Sequence, residues 1–171
     1  MTYILTLRFD PMSQKHFEGM RQRYFPAARN LVPAHLTLFH ALPALDEISS
    51  TLASTASRIQ VFSLAVTGLR SLGRGVAYSL AAPEVDSLHR ELSNSFAPYV
   101  TPQDQQKFKP HVVIQNKSTG EQAKALLALL QAGFQTFQVK AEGMDLWEYQ
   151  NGPWELALHF DFLDQQTGNA R

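Results

Sequence analysis

Two short stretches hold the residues of this chain best suited to move protons. One is Pro33-Ala34-His35-Leu36-Thr37-Leu38-Phe39-His40 and the other is Pro110-His111-Val112-Val113-Ile114-Gln115-Asn116. Each has a proline beside a histidine and runs on as a short apolar segment, the pattern of a loop entering a strand. At period two, His35, Thr37 and Phe39 share one face, and Leu36, Leu38 and His40 share the other. In the second stretch His111, Val113 and Gln115 share a face. Imidazole is the side chain whose unperturbed pKa, about 6.5, lets one copy accept a proton while another donates near neutrality. Two strand-leading histidines, one with a hydroxyl two residues on, therefore predict a site with an acid on one side and a base on the other.

The remaining chemistry-bearing residues are placed around that pair. Strand parity puts His40 on the face opposite His35 and so outside the site. His16 and His89 fall in helices and are expected to face solvent. His159 alternates with Asp161, which reads as a surface strand pair. The four-residue gap between His35 and His40 has the wrong parity for two metal ligands on a strand, and no His-Glu-x-x-His helix is present, so no metal is expected. Phe39, Trp147 and Tyr149 could stack on a nucleobase; the core reading leads for Trp147, while Phe39 shares the His35 face. Arg74 reads as an exposed turn arginine. Lys109 and Lys117 flank the second stretch and add positive potential.

The elements that must position these residues follow from periodicity. Residues 2–9 alternate as a first strand rather than a signal peptide. Helical spacing runs from Met12 to about Phe25, with Ser13 as N-cap and Pro26 as stop. Residues 45–58 form a helix on Leu45, Ile48, Leu52 and Ala56. A strand over 60–72 turns at Gly73-Arg74-Gly75 into Val76–Ala81. Pro83 opens a helix striped by Val85, Leu88, Leu92 and Phe96. Residues 99–109 form the longest loop, placed as a lid or substrate loop before the second histidine strand. Ser118 with Glu121 suggests a capping box, and Gly133 ends that helix. Phe134–Val139 and Gly143–Tyr149 read as two strands, and Asn151-Gly152 turns into Trp154–Leu163. The tail from Gln165 is expected to fray. The two histidines lie about half a chain apart in matching element orders, so a duplicated unit folded about a pseudo-two-fold would set them across one cleft.

Bulk composition narrows the function. The 171 residues include 15 Lys+Arg and 15 Asp+Glu, a neutral balance that excludes coating nucleic acid by bulk charge. A single nucleotide or an RNA end remains a feasible partner. The absence of cysteine removes disulfides, thiolate catalysis and thiolate-bound zinc. No apolar run approaches the roughly 20 residues needed to span a bilayer, so no membrane partner is expected. The expectation is a cytoplasmic monomer.

His35-Leu36-Thr37-Leu38 and His111-Val112-Val113-Ile114 resemble the paired signature of the 2H phosphoesterase superfamily: histidine, any residue, threonine or serine, then an apolar residue, occurring twice. The resemblance covers the chain in length and element order. It implies an α+β, two-lobed, duplicated β-α-β-α-β fold, with antiparallel sheets around a central groove and helices outside. It implies cofactor-free and metal-independent chemistry on a 2′,3′-cyclic phosphate or 2′-5′ linkage of an RNA end or nucleotide. His35 and His111 would be the acid and base, and Thr37 would hold a phosphoryl oxygen. Val113 stands where the second hydroxyl belongs. Loss of one donor at a developing oxyanion costs on the order of 3 kcal/mol, which implies slower turnover, a shifted substrate, no turnover, or support from another donor, for which Gln115 on the same face is a candidate. Phe39 is the expected base contact. The alternative is a non-catalytic nucleotide or RNA-end binding module of the same fold.

Overall fold

The computed structural model describes residues 1–43 and 46–164. Leu45 and the tail from Gln165, both subjects of expectations above, lie outside them. The alternation at the N-terminus forms β1 (Thr2–Phe9), and Pro11 at the first helical position opens α1 (Pro11–Tyr24). Asp10, not Ser13, is the N-cap. The first histidine stretch enters β2 (Leu36–Pro43), followed by α2 (Asp46–Ala56). The predicted hairpin is β3 (Phe62–Ser71) and β4 (Val76–Ala81), and the Val85 stripe is α3 (Pro83–Ser95). The second histidine opens β5 (His111–Gln115) ahead of α4 (Gly120–Ala132). Here Thr119 is the N-cap, in a capping box with Gln122, because the Ser118 hydroxyl is donated to Gln122 Oε1 at 2.6 Å. The last two strands are β6 (Phe137–Tyr149) and β7 (Trp154–Asp161).

Among the described residues, the result is a mixed fold of four α-helices and a seven-stranded antiparallel sheet. The two strands expected on either side of residues 140–142 are one, β6. Its N-terminal part pairs β3 from Phe137 to Ala141, and from Gly143 onward the same edge pairs β7. Its other edge pairs β1 from Ala141 to Glu148. Each half of the sheet is thus four strands deep: β2-β1-β6-β7 on one side, β5-β4-β3-β6 on the other. Gly143 reads as a strand break in the sequence but marks a close approach instead; a Cβ there would lie 2.4 Å from the Phe160 carbonyl oxygen.

The duplicated arrangement expected from the sequence is therefore present, with β6 common to both halves. The histidine strands β2 and β5 occupy equivalent edge positions and come into contact with each other. One continuous apolar core holds the assembly, centred on Leu5, Phe17, Leu64, Val76, Leu92 and Val112. Burying each such side chain contributes about 1.5–3 kcal/mol. Among the described residues, no helix is long and apolar enough to cross a membrane.

Gly75 sets how closely β4 approaches β5. A Cβ at that position would fall 1.9 Å from the Gln115 carbonyl oxygen and 2.7 Å from the Asn116 Cα, both backbone atoms. Gly68, on the neighbouring strand, has nothing within 4 Å. Gly75→Ala is expected to lower unfolding stability by about 1–3 kcal/mol through forced strand separation. Gly68→Ala should change it by less than about 1 kcal/mol. Urea unfolding of the two variants checks the contrast.

Candidate active site

His35 and His111 are anchored in the same way. Each precedes or opens its strand, and each donates Nδ1–H to the carbonyl two residues back: Pro33 at 2.7 Å and Lys109 at 2.7 Å. This bond selects the tautomer that leaves the Nε2 lone pair free. The ring of His35 packs against Trp154 at 4.5 Å between centroids, and Trp154 in turn meets Trp147 at 6.1 Å. Burial is the main reason the His35 pKa falls to about 4; the Pro33 carbonyl works the other way, and positive charge on Arg21, His111 and His40 pushes it further down. His111 is also lowered, first by burial, against the Lys109 carbonyl and with Arg70 and His40. A proton on His111 thus opposes one on His35.

A groove of about 430 Å³ opens between the histidine strands, walled by Thr37, His40, Arg70, Asp104, Lys107 and His111 among others. Thr37 faces it as the parity predicts. Phe39 does not. The pairing of β2 with β1 slips twice, between the partners of Tyr3 and Leu5 and again between those of Leu5 and Thr6. Each slip inserts one residue into β2, so the alternation of Leu36 and Leu38 breaks and Phe39, then Leu42, are the next buried positions. Phe39 is fully buried and stacks on His89 at 4.9 Å. Period-two counting fails at the bulges, and it fails in the opposite sense for His40, which joins Thr37 in the groove.

Gln115 is also corrected. It is 6% exposed, does not wall the groove, and its Oε1 has no hydrogen-bond partner among the described residues. A further pairing slip, between Val76 and Ala77, separates it from the His111 and Val113 register. Val113 itself offers only its carbonyl, which accepts Nη1–H of the buried Arg21 at 3.0 Å.

Several site residues carried no local signal. Asp104, in the 101–109 loop, has a side chain 2% exposed. It accepts Nδ1–H of His40 at 2.7 Å and the His40 backbone N–H at 2.9 Å. Burial pushes the Asp104 carboxyl up, but the donors of His40 and Ala41 outweigh it and hold the group below its usual range. His89, expected in solvent, lies between Phe39 and Phe108, the latter stacked at 3.9 Å. That stack pins the loop beside the groove. Arg70 walls the groove from β3. None of these could be found from spacing, because each depends on a tertiary approach. His159 donates Nδ1–H to Asp145 at 2.6 Å in a cluster with Arg8 that is remote from the groove walls. Among the described residues, no cluster of three or more His, Asp or Glu side chains is arranged to hold a metal.

The family model of the 2′-5′ RNA ligase superfamily matches residues 9–153. A search of curated proteins finds no match. Among solved structures, TT0787 of Thermus thermophilus is similar at 15% identity and TM-score 0.69, covering 96% of this chain and 100% of its own. Escherichia coli LigT complexed with 3′-AMP is similar at 14% identity and TM-score 0.60, covering 94% of this chain and 97% of its own. A structure described as a phosphoesterase stands at 17% identity and TM-score 0.59, with 94% and 97% covered. At these identities the likeness is one of fold.

The buried His35 makes stability pH-dependent in a defined direction. Its folded pKa of about 4 lies below the ordinary histidine value of 6.5, so the unfolded chain takes up a proton that the folded chain refuses. Stability contributed above pH 6.5 is expected to be lost as pH falls toward about 4, by up to about 3 kcal/mol. Denaturant unfolding across that range should show a shallower loss in His35→Gln. Trp154→Ala should raise the His35 pKa in an NMR titration, because it readmits water to the ring.

Proposed function

Because the chain belongs to the 2′-5′ RNA ligase superfamily, we propose that it is a metal-independent phosphoesterase acting on a 2′,3′-cyclic phosphate or 2′-5′ linkage of an RNA end or nucleotide. The observation that carries this reading is the matched anchoring of His35 and His111, each tied through Nδ1 to the carbonyl two residues before it. One Nε2 is thereby left free on each ring, and His111 walls the groove while His35 lies against Trp154. The groove adds charge of the right sign: Arg70, Lys107 and Lys109 wall it, while its carboxylate, Asp104, is engaged by His40. An anion of phosphoester size fits that balance. Escherichia coli LigT, which has a similar fold, was solved with 3′-AMP and with NADP+, which supports a nucleotide occupant.

In hydrolysis of a cyclic phosphate, His35 is the base. It stays neutral well below pH 7, since its pKa is about 4, and its Nε2 takes a proton from water as the water oxygen bonds to phosphorus. His111 is the acid and gives its Nε2 proton to the departing ribose oxygen as the P–O bond breaks. An anionic substrate favours the protonated form of His111 by offsetting the positive charges of Arg70 and His40. The Thr37 hydroxyl donates to a phosphoryl oxygen. Val113 favours a second reading, a nucleotide-binding module without turnover, because one donor of the pair is missing.

Assays on nucleoside 2′,3′-cyclic phosphates in the presence of chelator separate the two. The catalytic reading expects kcat/KM to fall at least about 100-fold in His35→Ala and in His111→Ala, with a bell-shaped pH profile in the parent protein. Activity that survives both substitutions overturns the assigned roles. Saturable nucleotide binding with no turnover in the parent protein establishes the binding module.

A further inference from the structure

We propose that Arg70 is the phosphate donor of the second half-site, in place of the hydroxyl that Val113 lacks. The inference rests on the phosphoester reading and assigns it a residue outside both histidine stretches. Arg70 pairs with Ala77 across β3 and β4, and Ala77 pairs with Val113 across β4 and β5. Directly opposed residues of antiparallel strands project to the same face. Arg70, Ala77 and Val113 therefore form one row, spanning two strand spacings of about 4.8 Å each. The middle residue is the smallest with a Cβ, so nothing bulky stands between the guanidinium and the place where the second hydroxyl belongs.

Two further observations agree. Arg70 walls the groove together with His111 and Thr37, and its charge acts on His111. Among the described residues, Arg70 is the one arginine in the groove wall, and several others are engaged elsewhere. Arg21 is held by Asn30 and Val113, Arg74 by the Ser118 carbonyl, Arg58 by Glu91, and Arg8 by Asp145. Arg70 has no hydrogen bond or ion pair among the described residues. A partly buried guanidinium facing a groove whose one carboxylate among the described residues, Asp104, is taken by His40 is poised for an anion. Its planar fork suits the two non-bridging oxygens of a phosphodiester, which a single hydroxyl cannot grip together.

The test is a double-mutant cycle on Arg70→Ala and Val113→Thr, with Arg70→Lys as the charge-preserving control. Steady-state rates on a nucleoside 2′,3′-cyclic phosphate and calorimetric binding of inorganic phosphate are measured for each protein. Arg70→Ala is expected to lower kcat/KM about 100-fold, and Arg70→Lys to restore only part of it. Val113→Thr should raise activity at least about tenfold in the Arg70→Ala background and by less than about threefold in the parent, since the two donors serve the same phosphoryl group. Equal gains in both backgrounds, or no loss in Arg70→Ala, overturn the assignment. If the parent protein turns over no cyclic phosphate, the phosphoester reading fails, and phosphate affinity decides Arg70 by itself. Weakening of at least about tenfold in Arg70→Ala supports it as an anion site, and unchanged affinity overturns it. Unfolding midpoints matching the parent exclude a folding defect in each variant.

Discussion

The ladder along β6 is the constraint on which the rest of this molecule depends. One strand closes both halves of the sheet, with β3 and β7 following each other along one edge and β1 along the other. Because backbone hydrogen bonds fix strand spacing within tenths of an ångström, sharing a strand ties the two halves into one frame. The outer strands β2 and β5 then meet at a separation set by ladders rather than by flexible linkers. Thr37 on β2 and His111 on β5 are thereby held at the groove walls by backbone pairing.

The chemistry of the groove is governed by desolvation and by positive charge. Each imidazole is buried enough that its cation is disfavoured, and each sits near further cationic groups. These positive groups oppose one another's protons, and an anion in the groove would relieve that opposition.

The alternation of short apolar runs made the element order legible, and of the two histidines half a chain apart His111 walls the groove while His35 is not among its lining residues. Thr37 was legible for the same reason, since no pairing slip separates it from His35. Phe39, His40 and Gln115 were not, because bulges in β2 and near Val76 shift the parity that strand reading relies on. Bulges leave little trace in composition. The capping residues were misplaced by one or a few positions, because Pro11 and Gln122 compete with the more familiar serine caps. Arg70, Asp104 and Trp154 come from elements remote in sequence, and only the tertiary fold brings them to the histidines.

The two extra residues in β2 give that strand a property of an evolutionary kind. In a regular strand every second side chain would face the groove, and adding a functional group there would cost a core position. With its two slips, β2 keeps Leu36, Leu38, Phe39 and Leu42 inside while offering both Thr37 and His40 to the groove. A lineage could thus exchange the residue at position 40 without repacking the interior.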